Sequence, residues 1–264
     1  MTISPNQTKK SMKDIYKKIA EINRVSKQCQ SPKQAIDHLF QLAFNLVSQQ
    51  HFSAMQFPNC FVWNAEGLDR CMDEYRDDLQ AWDILVEATN DYMELVKDSE
   101  PFSDLMGEGY GSHPLSKALG QFLSPPKVAE GGAKFLTGRA NGRSFEELER
   151  GEHITMADIC CGAGTLLLSL LREAYQAQPD RMSQVHAIAM DIDPNMVRMT
   201  SVQIALSALL HDIELGSLQV FWGNAITEYS EGTRDTRGFI YTPNQESYRS
   251  LLKQQNMIDG KFFA

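Results

Sequence analysis

The sequence predicts an α/β fold preceded by a helical region, and three observations support this prediction. Apolar residues recur every three or four positions through the first hundred residues, which is the period of an amphipathic helix. From about residue 153 the pattern changes to strand, glycine turn, helix and strand, which is typical of an α/β unit. A segment rich in glycine and proline, residues 101–145, joins the two patterns. We therefore expect a helical domain over residues 1–105 and an α/β domain over residues 106–264.

The N-terminal region contains three stretches with helical periodicity. In the first, Ile15, Ile19 and Ile22 fall on one face. The second, residues 31–50, begins with Ser-Pro, which favours the start of a helix. The third covers residues 81–98. No group of catalytic side chains stands out in these helices, so we interpret the region as a packing or interaction domain.

Composition places the chain among ordinary globular proteins. It has 264 residues, of which 42% are hydrophobic and 22% charged. No window approaches the roughly 18 uninterrupted apolar residues of a membrane span, and no apolar stretch follows the N-terminal lysines, so we expect a cytoplasmic protein without membrane contact. The net charge of −9 disfavours nonspecific coating of nucleic acid. A modest cationic cluster, which reads equally well as solvated surface, consists of Lys127, Lys134, Arg139 and Arg143.

Cysteines and histidines give no sign of a metal site. The cysteines are odd in number and none form a C-x-x-C pair, which favours reduced thiols. Three histidines, His38, His51 and His113, each stand alone. Isolated histidines are more often core or surface residues than metal ligands, so no metal is expected.

The segment after residue 153 carries the most informative motif. Residues 154–159 form a short apolar strand and residues 166–174 a helix, with the turn Asp158-Ile-Cys-Cys-Gly-Ala-Gly164-Thr between them. Small residues at such a turn let a ligand approach the backbone, and the helix N-terminus offers free N–H groups to an anion. The G-x-G-x-x-G form is absent because residue 167 is Leu, which disfavours a nicotinamide or flavin dinucleotide.

Two further turns follow the next strands. The second strand ends in Asp191-Ile192-Asp193-Pro, where an acid is placed to accept hydrogen bonds from two ribose hydroxyls. Ile192 would lie flat against an adenine ring, and Asp193 is expected to cap the helix that starts near Pro194. The third strand, residues 217–222, is followed by Gly223-Asn224-Ala225, where an amide oxygen can accept from an adenine amino group.

In this order the motifs resemble those of the N6-adenine DNA methyltransferases, specifically type I modification subunits and related gamma-class enzymes. The resemblance covers about residues 100–227. It includes Gly120-Gln-Phe-Leu-Ser-Pro-Pro-Lys-Val128, which is similar to the family's loop ahead of the glycine turn. Ser124 stands where the family usually has Thr, and Asn224 where it usually has Asp. The resemblance implies a Rossmann-like methyltransferase fold that binds S-adenosylmethionine (SAM).

The resemblance also implies a role for each motif. The loop and the glycine turn would hold the methionine part of SAM, with Asp158 facing its ammonium group. Asp191 would hold the ribose, while residues near Ile192 and in the third turn would hold the adenine. The implied cofactor-binding residues are Phe122, Leu123, Ser124, Pro125, Asp158, Cys160, Cys161, Gly162, Ala163, Gly164, Thr165, Asp191, Ile192, Asn224 and Ala225.

The family's catalytic tetrapeptide, Asn/Asp-Pro-Pro-Tyr/Phe, has no counterpart in the sequence. In the family it holds an adenine flipped from the duplex and aligns it for attack on the methyl group. The nearest candidate is Thr242-Pro243-Asn244, which follows a possible fourth strand at residues 239–241. Only residues 245–264 follow it, too few for the further strands that the resemblance implies, so an incomplete sheet is expected. The catalytic residues are therefore unknown.

Three interpretations of function remain open at this stage. The chain is a SAM-binding adenine methyltransferase acting on DNA, either impaired or completed by a partner protein or a second copy. Alternatively, it is a noncatalytic SAM sensor or decoy subunit of a modification or restriction system. RNA or small-molecule methylation is the third interpretation, disfavoured by the Ser124-Pro-Pro loop.

Overall fold

The computed structural model describes residues 10–48, 61–64, 67–106, 125–137, 152–227, 238–244, 246 and 249. These residues form an α/β fold in which helices pack on one mixed sheet. The described helices are α1 (Met12–Val25), α2 (Pro32–Ser48), α3 (Leu79–Asp98), α4 (Pro126–Thr137), α5 (Thr165–Ala177) and α6 (Pro194–Leu210). The strands are β1 (Phe61–Asn64), β2 (Ile154–Asp158), β3 (Val185–Asp191), β4 (Ser217–Trp222) and β5 (Gly238–Thr242).

The sheet has a parallel part and an antiparallel part. Its strand order is β1-β5-β4-β3-β2. Strands β2, β3 and β4 are parallel and are connected through α5 and α6, as expected of strand–helix–strand units. Strand β5 pairs antiparallel with β4, and β1 pairs antiparallel with β5. The carboxyl ends of the three parallel strands therefore meet at one edge of the sheet, which we call the carboxyl edge, and their amino ends meet at the opposite amino edge.

Helix α6 lies at the centre of the molecule. It packs against β3, β4 and β5 on one side and against α2 and α3 on the other. Because it is covered on both sides, almost its whole length is buried, including polar side chains such as Thr200 and Gln203. The ring of Phe44 on α2 lies against that of Phe239 on β5, with ring centroids 5.5 Å apart. The core is therefore shared between the N-terminal helices and the sheet.

The three N-terminal helices confirm the periodicity of the sequence. Ile15, Ile19 and Ile22 are all buried on one face of α1, and α2 begins at the proline of its Ser-Pro pair. His38 is buried, and its Nδ1 lies 2.7 Å from the hydroxyl of Tyr75, so it is a core histidine. His51 and His113 lie outside the described residues.

One expectation for this region is wrong. The sequence up to residue 100 was expected to be helical, but residues 61–64 form strand β1. The segment Phe-Val-Trp-Asn combines aromatic and β-branched residues that favour an extended backbone. Pairing with β5 across the sequence supplies the backbone hydrogen bonds of this short strand. The domain boundary near residue 105 stays a prediction, and one cluster of buried apolar side chains includes residues on both sides of it.

The α/β elements lie close to their expected positions. The expected strands at 154–159 and 217–222, and the expected strand ending at Asp191, are confirmed as β2, β4 and β3. Asp193 caps α6 as expected, its side chain accepting from the backbone N–H of Asn195 at 2.9 Å. In β2, Ile154 and Met156 are buried while Thr155 and Ala157 are exposed, because this strand lies at the end of the described sheet. Within the described segments, no helix has the length and apolar character needed to cross a membrane.

Candidate functional site

A tight turn joins the carboxyl end of β2 to the start of α5. Gly162 and Gly164 in this turn have φ values of +52° and +90°, in the left-handed region that favours glycine. A Cβ atom on Gly164 would lie 3.1 Å from Oγ1 and 3.2 Å from Cγ2 of Thr200. Residue 164 therefore has to be glycine both for its backbone angle and for the close approach of α6.

Two polar side chains of α6 fix the peptide groups of this turn. The hydroxyl of Thr200 donates to the carbonyl of Gly162 at 2.8 Å, and the amide of Gln203 donates to the carbonyl of Ala163 at 2.7 Å. These two residues were not expected to contribute. Both are polar residues within an otherwise apolar helix. Because a buried polar side chain needs a hydrogen-bond partner, this pattern could have indicated their role.

The Asp191 carboxylate links the turn to the end of β3. Its Oδ2 accepts from the N–H of Gly162 at 2.8 Å, and its Oδ1 accepts from the N–H of Asp193 at 2.9 Å. A carboxylate offers about four acceptor positions in total, so each oxygen keeps a further position for a ligand hydroxyl. Asp191 thus has a structural role in holding the turn and the capacity to bind a pair of hydroxyl groups.

Asp158 lies at the end of β2, next to Asp191 along the carboxyl edge. Burial raises the pKa of the Asp158 carboxyl, the N–H of Cys160 lowers it through a 3.2 Å hydrogen bond, and the negative charge of Asp191 raises it. The charged form is thus poorly solvated and faces a like charge. A cationic group bound beside Asp158 would relieve both effects, so the site favours a ligand that carries a positive charge.

The first turn of α5 provides hydrogen-bond donors, which suit an anion rather than a cation. The N–H groups at the start of a helix lack partners within the helix and attract an anion. Thr165, the first residue of α5, is buried, and its hydroxyl has no hydrogen-bond partner among the described residues. A carboxylate placed here would accept from the helix N–H groups and satisfy this hydroxyl. The turn therefore brings a carboxyl group that suits a cation and hydrogen-bond donors that suit an anion into one short segment.

The two cysteines of the turn differ in their surroundings. Cys161 is buried, and burial raises the pKa of its thiol far above the ordinary value. Its sulfur lies 3.6 Å from the hydroxyl of Thr200, which places it in the packing between the turn and α6. Cys160 is exposed. Of the two, only Cys160 is accessible to a ligand.

Beyond Asp191, the carboxyl edge continues into the turns after β3 and β4. The side chain of Ile192 is 67% exposed, although Ile is usually buried. The N–H of Gly223 donates to the carbonyl of Asp191 at 3.0 Å, so the two turns are joined. The Asn224 oxygen accepts from the N–H of Ile226 at 3.0 Å, and Ala225 is half-buried beside it. An exposed apolar side chain beside a polar turn suits a flat, partly polar ring.

The loop that the sequence places before the turn is described only at its end. Phe122, Leu123 and Ser124 lie outside the described residues. Pro125 is exposed, and its carbonyl accepts from the N–H of Val128 at 2.9 Å as α4 begins. Helix α4 packs on α5, where Arg172 and Glu130 form an ion pair of 2.8 Å. The end of the loop is therefore fixed close to the helix that follows the glycine turn.

The cationic cluster is described in part. Lys127 and Lys134 are exposed on α4, one heptad apart. Arg139 and Arg143 lie outside the described residues. The described pair is consistent with a solvated helix face.

The candidate catalytic segment lies at the wrong edge of the sheet. The strand expected at residues 239–241 is confirmed as β5, but it runs antiparallel to β4, with Tyr241 opposite Leu218. Thr242 and Asn244 consequently lie at the amino edge, where the Asn244 amide donates to Glu214 at 2.6 Å. The interpretation of Thr242-Pro243-Asn244 as a variant of the catalytic tetrapeptide is therefore wrong, because the length of the sheet separates it from Asp158 and Asp191.

Comparison with known proteins does not assign the chain to a family. No protein-family model matches it, and no curated protein sequence matches it. The function has to be argued from the geometry of the carboxyl edge.

Proposed function

We propose that this chain binds SAM at the carboxyl edge of its parallel strands, as a module of the DNA adenine methyltransferase kind. The observation that carries the proposal is the meeting of the glycine turn with Asp158 and Asp191. Their arrangement follows the general rule that open α/β sheets bind ligands outside the carboxyl ends of their strands. Four motifs found in the same order by sequence supply the remaining support.

The groups at this edge match the parts of SAM in order. The N-terminus of α5 and the Thr165 hydroxyl suit the carboxylate of the methionine part. Asp158 suits its ammonium group, since the pKa of that carboxyl is raised by burial and by Asp191. The acceptor positions of Asp191 suit the two ribose hydroxyls, and exposed Ile192 suits the adenine. When bound, SAM supplies an electrophilic methyl group on a sulfonium.

The side chain of Ile192 offers a test that leaves the fold intact. We expect Ile192→Glu to weaken binding of S-adenosylhomocysteine by roughly 100-fold, because a charge would lie where the adenine ring stacks. Leu79→Glu is the matched control, since Leu79 has the same 67% exposure and lies on α3. Isothermal titration measures both. Wild-type affinity in a folded Ile192→Glu protein would contradict the proposed adenine site.

Substitution of Asp191 tests the proposed ribose contact less selectively, because this carboxylate also holds the backbone of the turn. Asp191→Ala should abolish binding, but it also removes the acceptor of the N–H groups of Gly162 and Asp193. Leaving such donors unpaired costs about 1–3 kcal/mol each when they are buried. The expected result is therefore a loss of both affinity and stability, and unchanged SAM affinity would contradict the ribose assignment.

The position of β5 favours a noncatalytic SAM-binding subunit as a second candidate. No segment of the described chain brings an Asn/Asp-Pro-Pro-aromatic sequence to the carboxyl edge, and Asn244 lies at the other edge. Expression in a host without adenine methylation, followed by mass spectrometry of the nucleosides of its DNA, separates the two candidates. New N6-methyladenine would establish catalysis, with DNA as the partner. Its absence, with SAM binding intact, would favour a subunit that works with a partner protein.

A further inference from the structure

A tryptophan links the proposed adenine site to the N-terminal region. Trp222 ends β4 and lies opposite Asp191 in the register of the sheet. Its indole N–H donates to the carbonyl of Ile192 at 3.1 Å. The indole therefore fixes the backbone of the residue whose side chain faces the adenine position.

A turn from the N-terminal region lies near this indole. A Cβ atom on Gly67 would lie 3.5 Å from Cζ3 of Trp222, an ordinary van der Waals contact, so the Gly67 backbone lies about one methyl group away from the ring. Gly67 has a φ of +94°, which a residue with a side chain rarely adopts. The next residue, Leu68, is fully buried. The turn at Gly67 and Leu68 therefore lies beside the Trp222 ring, and we call this turn the wall.

Arg198 holds this turn from α6. Its Nε donates to the carbonyl of Leu68 at 2.6 Å, and its Nη2 donates to the carbonyl of Gly67 at 3.1 Å. Its third nitrogen, Nη1, donates to Asn195 Oδ1 at 2.8 Å. The side chain is 7% exposed, and burial lowers the pKa of its guanidinium. A buried arginine is costly unless its donors are used, and here the rigid fork of the guanidinium grips two consecutive carbonyls.

The same arginine connects this wall to α2. The Asn195 amide donates to Asp37 Oδ2 at 3.4 Å, and the Gln41 amide donates to the Leu68 carbonyl at 3.1 Å. Helix α2 thus bonds the turn directly through Gln41 and reaches Arg198 indirectly, from Asp37 through Asn195. The path runs from α2 through Arg198 and the turn to Trp222 and then Ile192.

We infer that Arg198 is a positioning residue for the nucleoside half of the ligand, acting through the Gly67–Leu68 turn and Trp222. The inference rests on the proposed SAM site. It gives the N-terminal helices a role in cofactor affinity, because they hold the wall behind the adenine position. The glycine turn that would bind the amino-acid half is held separately, by Thr200 and Gln203.

Binding of two ligands distinguishes the nucleoside half of the proposed site from the amino-acid half. S-adenosylhomocysteine contains the nucleoside and the amino acid, whereas 5′-methylthioadenosine lacks the amino acid. Arg198→Met should weaken binding of both by the same factor, roughly tenfold or more. Gly164→Ala should weaken S-adenosylhomocysteine more than 5′-methylthioadenosine. Arg24→Met, which removes an arginine of α1 paired with Glu21, is the control and should leave both affinities unchanged.

Trp222 provides a readout that a general loss of stability would not give. In a Trp63→Phe, Trp82→Phe background, emission comes from Trp222 alone. In that background, Arg198→Met should shift the emission of the folded, ligand-free protein to longer wavelength. Gly67→Ala should weaken 5′-methylthioadenosine binding as well, because it alters the turn without removing the arginine.

The outcomes are distinguishable. A folded Arg198→Met protein with wild-type affinity for 5′-methylthioadenosine and unchanged Trp222 emission would overturn the inference. If Arg198→Met does not fold, wild-type affinity in Gly67→Ala would overturn it instead. Wild-type protein that binds neither nucleoside would refute the proposed function and this inference with it, a result different from a loss confined to the variants.

Discussion

The titratable groups at the two edges of the parallel strands differ in how much of their hydrogen-bonding capacity the protein itself uses. At the carboxyl edge, Asp158 and Asp191 accept hydrogen bonds from the backbone and keep further acceptor positions. At the amino edge, His186 is fully buried between Ser217, whose hydroxyl lies 2.9 Å from its Nδ1, and His153, whose Nδ1 lies 3.0 Å from its Nε2. A neutral imidazole has one N–H and one acceptor nitrogen, so the protein itself uses both ring nitrogens of His186.

This comparison separates groups that hold the fold from groups that can serve a ligand. Burial disfavours charge at both edges: it raises the pKa of Asp158 and lowers the pKa of His186 to about 3. At the amino edge the consequence is a neutral histidine closed in by protein atoms. At the carboxyl edge it is a carboxyl group whose charge a cation would stabilise. A shifted pKa by itself therefore does not identify a binding site; the hydrogen-bond capacity that remains unused does.

The largest expected effects on stability come from replacing one glycine at each edge by alanine. A Cβ atom on Gly216 would lie 2.7 Å from the carbonyls of Ser183 and Val185. Because these are backbone atoms, we expect Gly216→Ala to lower the free energy of unfolding by about 3 kcal/mol or more. At the carboxyl edge, Gly164→Ala should lower it by about 1–2 kcal/mol and also weaken ligand binding.

Urea denaturation and titration with S-adenosylhomocysteine measure the two quantities for both variants. Gly216→Ala protein should bind with wild-type affinity under conditions where it is folded. A Gly164→Ala protein with the affinity of the wild type would remove the distinction between the two edges.

The histidine pair makes the amino edge sensitive to acid. The pKa of His186 in the folded protein, about 3, is below its ordinary value of 6.5, and burial also lowers the pKa of His153. The unfolded chain therefore takes up protons first, and stability falls as the pH falls below 6.5. We expect a loss of about 1 kcal/mol per pH unit between about pH 6 and about pH 5.

His186→Gln, which keeps a polar side chain beside Ser217, tests this expectation. Its unfolding free energy should be lower than that of the wild type at neutral pH but should change less on acidification. Equal pH slopes in urea titrations of the two proteins would contradict the assignment to His186.

A smaller effect of opposite sign is expected near the carboxyl edge. The pKa of Asp37 on α2 is raised to about 6, chiefly by burial; Lys33 lowers it and the nearby charge of Asp193 raises it. The unfolded chain loses this proton near 3.8, so the contribution to stability is present below that value and is lost as the pH rises through about 6.

Asp37→Asn should remove this dependence. The difference in unfolding free energy between wild type and variant should change by about 1–2 kcal/mol between about pH 4 and about pH 7, in favour of the variant at the higher pH. Thermal unfolding at several pH values measures it. A constant difference would show that Asp37 does not titrate in this range.

Patterns among neighbouring residues predicted most of the helices and strands and the turns that form the candidate site. The periodicity of α1, the Ser-Pro start of α2 and the Asp193 cap of α6 are properties of neighbouring residues, so the sequence was sufficient to place them. The hydrogen bond from the N–H of Gly162 to Asp191 was not among these predictions, because it joins two turns that lie far apart in the sequence.

Features that depend on distant residues were not predicted. The choice of β4 as the partner of β5 is a tertiary contact, and it moved Asn244 away from the expected site. The roles of Thr200 and Arg198 depend on which face of a fully buried helix meets the turn or Gly67. An apolar helix without a solvent face gives no periodicity from which to infer such a direction.

The pairing of β1 with β5 has a consequence for the synthesis of this protein. Phe61 lies opposite Thr242 in the sheet, so this strand has to await a partner made much later. The helices can form and associate as they leave the ribosome, but the far side of the sheet closes only after residue 242 has emerged. Contacts so distant in sequence slow folding because the intervening chain must first be ordered. A nascent chain halted before β5 would expose β1 to unintended partners, and rapid completion of translation would protect it.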